Sequence, residues 1–234
     1  VNPAILPLLA SVFIVSVYNF AFWNKFTSAV GGLEAASLPV RAGMYLLLVL
    51  TFTACLAVVN FRHCVKPLLI ALFLLSSLSS YFMDHYGVAI DWSMVQNIVD
   101  TDVGESTELL GGPLLMSFVL TGIVPALAIA MLRLRPVPFG RQLGANLATA
   151  AAALASAGLL LMLMFMTLAP TVHEHRELRF LLTPTNYIQA VNGYLKRKRS
   201  KPATIAPLGV DAAKGVLWHG NPRRTVTLIV VGET

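Results

Sequence analysis

The sequence predicts an α-helical membrane protein, a bundle of five spanning helices with a polar tail, and three observations carry that prediction. Of 234 residues, 56% are hydrophobic and only 12% charged, which is too apolar a balance for a soluble domain. Five runs of about 20 residues are nearly free of charge, each long enough at ~1.5 Å per residue to cross a ~30 Å hydrocarbon layer. Basic residues gather in the short connectors between these runs, and that asymmetry sets orientation.

The first span is predicted at residues 3–23 and closes in Tyr18, Phe20, Phe22 and Trp23, which read as an interfacial aromatic cluster. A cleaved signal peptide is the rival reading, but no small-residue cleavage site follows, so a retained helix is expected. The second span is predicted at 40–61, the third at 67–86, the fourth at 113–132 and the fifth at 146–169. Pro125 lies inside span four, where it removes one helix hydrogen bond and predicts a kink. The stretch ATAAAALASAG in span five offers small residues for close helix packing. No Asp, Glu, Lys or Arg stands in the middle of a span, which argues against a proton pump or a channel built on buried charge. Cys55 and Cys64 have no metal-ligand spacing and read as free thiols.

Arg62 and Lys66 lie between spans two and three, and Arg133, Arg135 and Arg141 between four and five. The loop between spans three and four has no Lys or Arg. By the positive-inside bias the basic connectors are cytoplasmic, and the N-terminus with them. That loop and everything after residue 169 then lie outside the inner membrane. The net charge of +6 is accounted for by topology and anionic lipid, and nucleic acid is not an expected partner.

The stretch from Tyr81 to Leu110 holds six of the eleven acidic residues: Asp84, Asp91, Asp100, Asp102, Glu105 and Glu108. Asn97, Thr101 and Glu105 recur every fourth residue, so on a helix they form one polar stripe. An amide, a hydroxyl and a carboxylate in a row suit a small cationic head group held beside a bilayer. An N-cap and a solvated helix face is the plainer reading of the same pattern.

After span five, His173, His175, Glu174 and Glu177 are too tightly spaced to close a tetrahedral metal site alone, and they read as a charged helix start. RELRFLL and NYIQAVNGYL, separated by Pro184, read as short amphipathic helices on the membrane surface. The cluster KRKRSK at 196–201 is either a solvated linker or an anionic-lipid contact. Residues 202–221, rich in Pro, Ala and Gly, read as a linker. RTVTLIVVGET then looks like the first buried strand of a parallel α/β sheet, with Glu233 at its ligand-bearing carboxyl end. The predicted organisation is therefore a membrane domain over 1–170, surface helices and linker over 171–221, and the start of a further domain over 222–234. Val1 is not a methionine and Thr234 ends an apolar run, so the chain is expected to be cut at both ends.

Taken together, five spans, the loop YGVAIDWSMVQNIVDTD, the segment LTPTNYI and the terminal TLIVVGET resemble the lipid A phosphoethanolamine transferases, the family that includes the mobile colistin resistance enzymes. The resemblance covers nearly the whole chain. It implies a five-helix membrane domain joined by periplasmic surface helices to a periplasmic domain of alkaline-phosphatase-like α/β fold, of which 222–234 would be the truncated first strand. It implies zinc as cofactor, with Glu233 as a zinc ligand. It also implies that Tyr86, Asn97, Thr101 and Glu105 line a phosphatidylethanolamine cavity.

The chemistry so implied is a two-step transfer. A zinc-bound threonine attacks the phosphate of phosphatidylethanolamine and releases diacylglycerol, and a phosphate of lipid A then takes the phosphoethanolamine group. The modified lipid A carries less net negative charge and binds polymyxins less well. Thr234 does not match the family's nucleophile, which lies further along with the Asp and His residues that complete the zinc site. The full protein is expected to be a monomeric enzyme and this fragment inactive by itself. Two other readings stay open: a sister transferase with another donor or acceptor, and a non-catalytic lipid-binding membrane module.

Overall fold

The computed structural model describes residues 4–32, 34, 37–100, 111–135 and 137–199. The chain divides into two compact units, 1–199 and 200–234. The second lies outside the described residues, and with it the strand expected over 222–234.

Every regular element among the described residues is helical: α1 (Leu6–Val17), α2 (Phe20–Ala29), α3 (Leu38–Val58), α4 (Val65–Tyr86) and α5 (Trp92–Asp100). They are followed by α6 (Gly112–Met131), α7 (Phe139–Glu174), α8 (Leu178–Leu181) and α9 (Thr185–Arg199). Four of them, α3, α4, α6 and α7, are long and apolar enough to cross a membrane, and α1 with α2 makes a fifth if that bent pair is one span.

The first span departs from the straight helix expected over 3–23. It bends by 69° between α1 and α2. Asn19 stands at the break, and its short amide ties the end of α1 to the segment at Thr183. Its Nδ2 donates to Ile14 O (2.9 Å) and to Thr183 O (3.1 Å), and its Oδ1 accepts from the Thr183 N–H (2.7 Å). Asn19 and Thr183 are both fully buried, so one side-chain amide pairs with a backbone peptide 164 residues away. The aromatic cluster is corrected by the same bend. Tyr18, Phe22 and Phe26 point into the core with exposures of 0%, 3% and 0%, and only Phe20 faces outward. Trp23 Nε1 donates to Val15 O (3.0 Å), satisfying another carbonyl at the end of α1.

The longest helix, α7, runs 36 residues against the 24 expected over 146–169. At ~1.5 Å per residue it outreaches a ~30 Å hydrocarbon layer by several turns. Its added N-terminal turns are held by amides. Gln142 Nε2 and Asn146 Nδ2, one turn apart, both donate to Asn60 O at 2.8 Å, and Asn60 Nδ2 donates to Asn146 Oδ1 (3.2 Å). Asn60 follows the end of α3, so α7 satisfies backbone that α3 leaves open. Along α7 the buried residues form a narrow stripe of Gln142, Asn146, Ala150, Ala153, Ala157 and Leu168, while Leu154, Leu161, Met162 and Phe165 stay exposed as a lipid-facing surface would. On α3, Gly43 leaves the space that Met164 of α7 fills; a Cβ there would lie 1.9 Å from Met164 Sδ.

In α6, where a kink is expected at Pro125, the structure shows a π-helical turn over Phe118–Ile123 just before the proline. A proline at 125 has no N–H to give to the carbonyl of residue 121. The Tyr18 hydroxyl donates to that oxygen instead, at 2.5 Å. Gly122 allows α4 close, since a Cβ there would come within 3.2 Å of Ser77. Tyr18→Phe should therefore remove this donor from a part-buried carbonyl and lower stability by about 1 kcal/mol. Thermal unfolding in detergent checks this; an unchanged midpoint would mean that the Thr121 carbonyl is satisfied without Tyr18.

Candidate functional site at the acidic end of the bundle

The C-terminal turns of α4, SSYFMDHY, carry the polar groups of this end. Residues 80 and 84 lie one turn apart on one face. The Ser80 hydroxyl donates to Asp84 Oδ2 (2.9 Å), and the other carboxylate oxygen accepts the Ala21 N–H (2.9 Å). Ala21 lies in the first turn of α2, so a carboxylate from α4 caps a helix N-terminus whose partial charge favours it. The bend at Asn19 is what turns that N-terminus toward α4.

Beside this carboxylate is a polar cleft of about 290 Å³ lined by Ser80, Tyr81, Asp84, His85, Ser117 and Thr121, with Val17 of α1 at its wall. Thr121 is fixed from two sides: its hydroxyl bonds Ser77 Oγ at 2.7 Å and donates to Ser117 O at 2.9 Å. The rings of Tyr81 and His85 stack at 5.1 Å. The cleft thus offers one carboxylate, an imidazole and several hydroxyls at the end of a spanning helix, a set able to hold an ammonium group and a phosphodiester together.

Of the sequence-predicted site residues, Tyr86 closes α4 in this ring cluster, 5.6 Å from Phe82 and 5.0 Å from His85 between centroids. Gly87, with φ of 65°, ends the helix in the left-handed region and sends the chain toward α5. Asn97 stands exposed on α5. Thr101, Glu105 and Glu233 lie outside the described residues, so the stripe is placed only at its first member. The residues the sequence reading did not single out as a site are Ser80, Asp84, His85, Ser117 and Thr121. The one signal for them was the Ser80/Asp84 spacing at the rim of a span.

Helix α5 is started by Asp91, whose Oδ1 accepts from Ser93 Oγ (2.6 Å), Ser93 N (3.0 Å) and Met94 N (3.1 Å). It docks on α9, where the Arg197 guanidinium lies 3.6 Å from the Trp92 ring centre. Gly193 permits the approach, since a Cβ there would lie 3.2 Å from Trp92 Cβ. Met83, Ile90 and Ala190 form the small buried cluster beneath, packed by Met94, Val95 and Tyr187. Partial burial pushes the Asp91 carboxyl up, but the Ser93 and Met94 hydrogen bonds and Arg197 outweigh it and hold the pKa below the ordinary value.

Among the described residues no group of three or more His, Cys, Asp or Glu is placed to hold a metal ion. His175 and Glu177 instead form a surface cluster with Lys25, with both contacts to Glu177 at 3.4 Å. Cys55 and Cys64 are free thiols.

The fold and this site define a multi-pass membrane protein, helical throughout its described residues, with a polar cleft at one end of the bundle. The sequence model of phosphoethanolamine transferase EptA/EptB matches residues 48–199, and the chain belongs to that family. It is similar to phosphatidylethanolamine transferase Mcr-2 of Escherichia coli, 26% identical over 243 residues that cover 100% of this chain and 44% of the relative. Phosphoethanolamine transferase EptA of Escherichia coli strain K12 is 28% identical over 237 residues, 97% of this chain and 42% of the relative. The fold matches the integral membrane protein lipooligosaccharide phosphoethanolamine transferase A (EptA) from Neisseria meningitidis with a TM-score of 0.78 at 23% identity, covering 84% of this chain and 37% of that one. The chain spans less than half the length of these relatives.

Because the folded-state pKa of Asp91 is depressed, its contribution is present above the unfolded value, about 3.9, and is lost as pH falls through the folded value. The protection factors of the α5 amides, taken against the intrinsic exchange rate at each pH, should fall across that acidic window in the wild type and already be low at neutral pH in Asp91→Ala. An α5 protected equally in both would remove the cap from the account.

Proposed function

We propose that this chain is the membrane part of an enzyme that moves phosphoethanolamine from phosphatidylethanolamine to a phosphate of lipid A. The observation that carries the reading is the family match across 48–199, which takes in the acidic end of α4 and both helices docked there. In this reading that end of the bundle is periplasmic and the connectors with Arg62, Lys66, Arg133, Arg135 and Arg141 are cytoplasmic, in the bacterial inner membrane.

The chemistry suited to these residues is donor binding. Asp84, with Glu105 and Asn97 of the following loop, draws the ethanolamine ammonium to the rim of the bundle. The Ser117 hydroxyl donates to a phosphate oxygen, while Thr121, whose hydroxyl already donates to Ser117 O, lines the wall with Tyr86 and Thr101. The spanning helices leave the acyl chains in the bilayer while the head group is held out of it. The exposed Ile188, Val191 and Leu195 on one face of α9 suit a helix lying along the membrane surface next to that position. Zinc, with Glu233 among its ligands, belongs to the same reading and to residues outside those described, and the diminished charge on lipid A is what would lower susceptibility to polymyxins.

With the full-length enzyme in bilayers, Glu105→Gln and Asp84→Asn should each lower the rate of diacylglycerol release from phosphatidylethanolamine at limiting donor. About ten-fold is expected for each, the equivalent of ~1.4 kcal/mol. Equal turnover of wild type and both variants would sink the head-group assignment. Faster release from a phosphatidylglycerol donor than from phosphatidylethanolamine would favour a sister transferase instead.

A further inference from the structure

The opposite end of α4 carries a second cleft, unconnected with the polar one, since the two lie at either end of a 22-residue helix. It has a volume of about 480 Å³, within the size range of small-molecule sites, and is lined by Arg62, His63, Lys66, Leu132, Arg133 and Leu134. Three of these six side chains are permanent cations. The segments that meet there, residues 59–66 and 131–142, contain Arg62, Lys66, Arg133, Arg135 and Arg141 and neither Asp nor Glu. Across 35–83 and 111–173 there is no carboxylate at all, so the neighbouring spans supply none to neutralise the cluster.

The cleft is built by specific local structure. Lys66, in the first turn of α4, reaches across to the last turn of α6 and donates from Nζ to Ala130 O (2.9 Å). This satisfies a carbonyl at a helix C-terminus, where a cation is favoured, and fixes the ammonium beside Leu132. The Phe61 and Phe139 rings stack at 5.5 Å next to Arg62, an aromatic pair of the kind that suits a membrane surface. The lining is divided in kind: Arg62, Lys66 and Arg133 supply charge and donors, and Leu132 and Leu134 supply an apolar floor. Cations above leucines at the end of spanning helices match the phosphodiester and glycerol of a lipid more closely than a free ion, which has no use for the leucines.

We propose that this cleft is a binding site for the head group of an anionic phospholipid, held by Arg62, Lys66 and Arg133 at the basic end of the bundle. The lipid is a structural ligand on the face remote from the proposed transfer site. Its phosphodiester bridges the α3–α4 turn and the end of α6, two elements that both present cations to the cleft.

The test uses the full-length protein reconstituted in nanodiscs of phosphatidylglycerol or of phosphatidylcholine, with native mass spectrometry after release to count retained lipid. Phosphatidylglycerol should be retained over phosphatidylcholine, and removal of each cation should weaken that retention about five-fold. Arg62→Gln with Arg133→Gln should therefore abolish the preference, while Arg62→Lys with Arg133→Lys should keep most of it, which separates loss of charge from loss of fold. The proposal is overturned if the double Gln variant retains phosphatidylglycerol as the wild type does, or if neither lipid is preferred. It is also overturned if inorganic phosphate alone raises the thermal midpoint in detergent as much as phosphatidylglycerol does, since a free anion would then be the ligand.

Discussion

The bundle depends on a single buried amide. Asn19 sits where a spanning helix would run on, and both ends of its side chain are committed to the peptide of Thr183 while Nδ2 also closes the end of α1. Removing any one of these partners would strand polar groups in a site from which water is excluded, at a cost of about 1–3 kcal/mol for each. The joint therefore has few alternatives. It obliges the chain to bend, and it ties the first helices to the segment that leaves the membrane bundle.

Two consequences reach the polar cleft. The bend turns the N-terminus of α2 toward α4, where Asp84 caps it, and so a carboxylate at the rim of a spanning helix acquires a fixed position. It also places Tyr18 against α6, where its hydroxyl completes a carbonyl that Pro125 cannot serve. The π turn that results brings Thr121 and Ser117 to the cleft wall. Asn186, fully buried three residues after Thr183, extends the joint by donating to Thr183 Oγ1 (3.3 Å) and to the sulfur of Met83 (3.2 Å). The cleft is thus assembled from three spans, α1, α4 and α6.

Much of this architecture is legible in the amino-acid sequence because spans are set by length and apolarity, which composition reports directly. Helices α3, α4 and α6 lie close to where the apolar runs put them. The bend is not legible in that way: Asn19 is one polar residue in a long apolar run, and its partner is 164 residues distant. The early start of α7 escapes for the same reason, since Gln142 and Asn146 read as polar flank until their bonds to Asn60 are seen. At the site, Asp91 starts α5, while two of the three residues that the helical spacing marked, Thr101 and Glu105, lie outside the described residues. The cleft residues Ser80, Asp84, Ser117 and Thr121 are drawn from two spans, and no periodicity in either span indicates that they face one another. The family resemblance carries further than the pattern because it compares whole arrangements instead of single residues.

The Thr183 amide tests the joint most directly. Its N–H donates to a buried side chain between helices and belongs to no regular element, so its hydrogen exchange reports on Asn19 alone. Measured in detergent or nanodiscs, it should exchange as slowly as the amides in the middle of α3 and α4, opening only with the whole bundle. Exchange at the rate of an exposed loop amide would contradict the account, because the bend, the capped carboxylate and the cleft would then have nothing common to hold them.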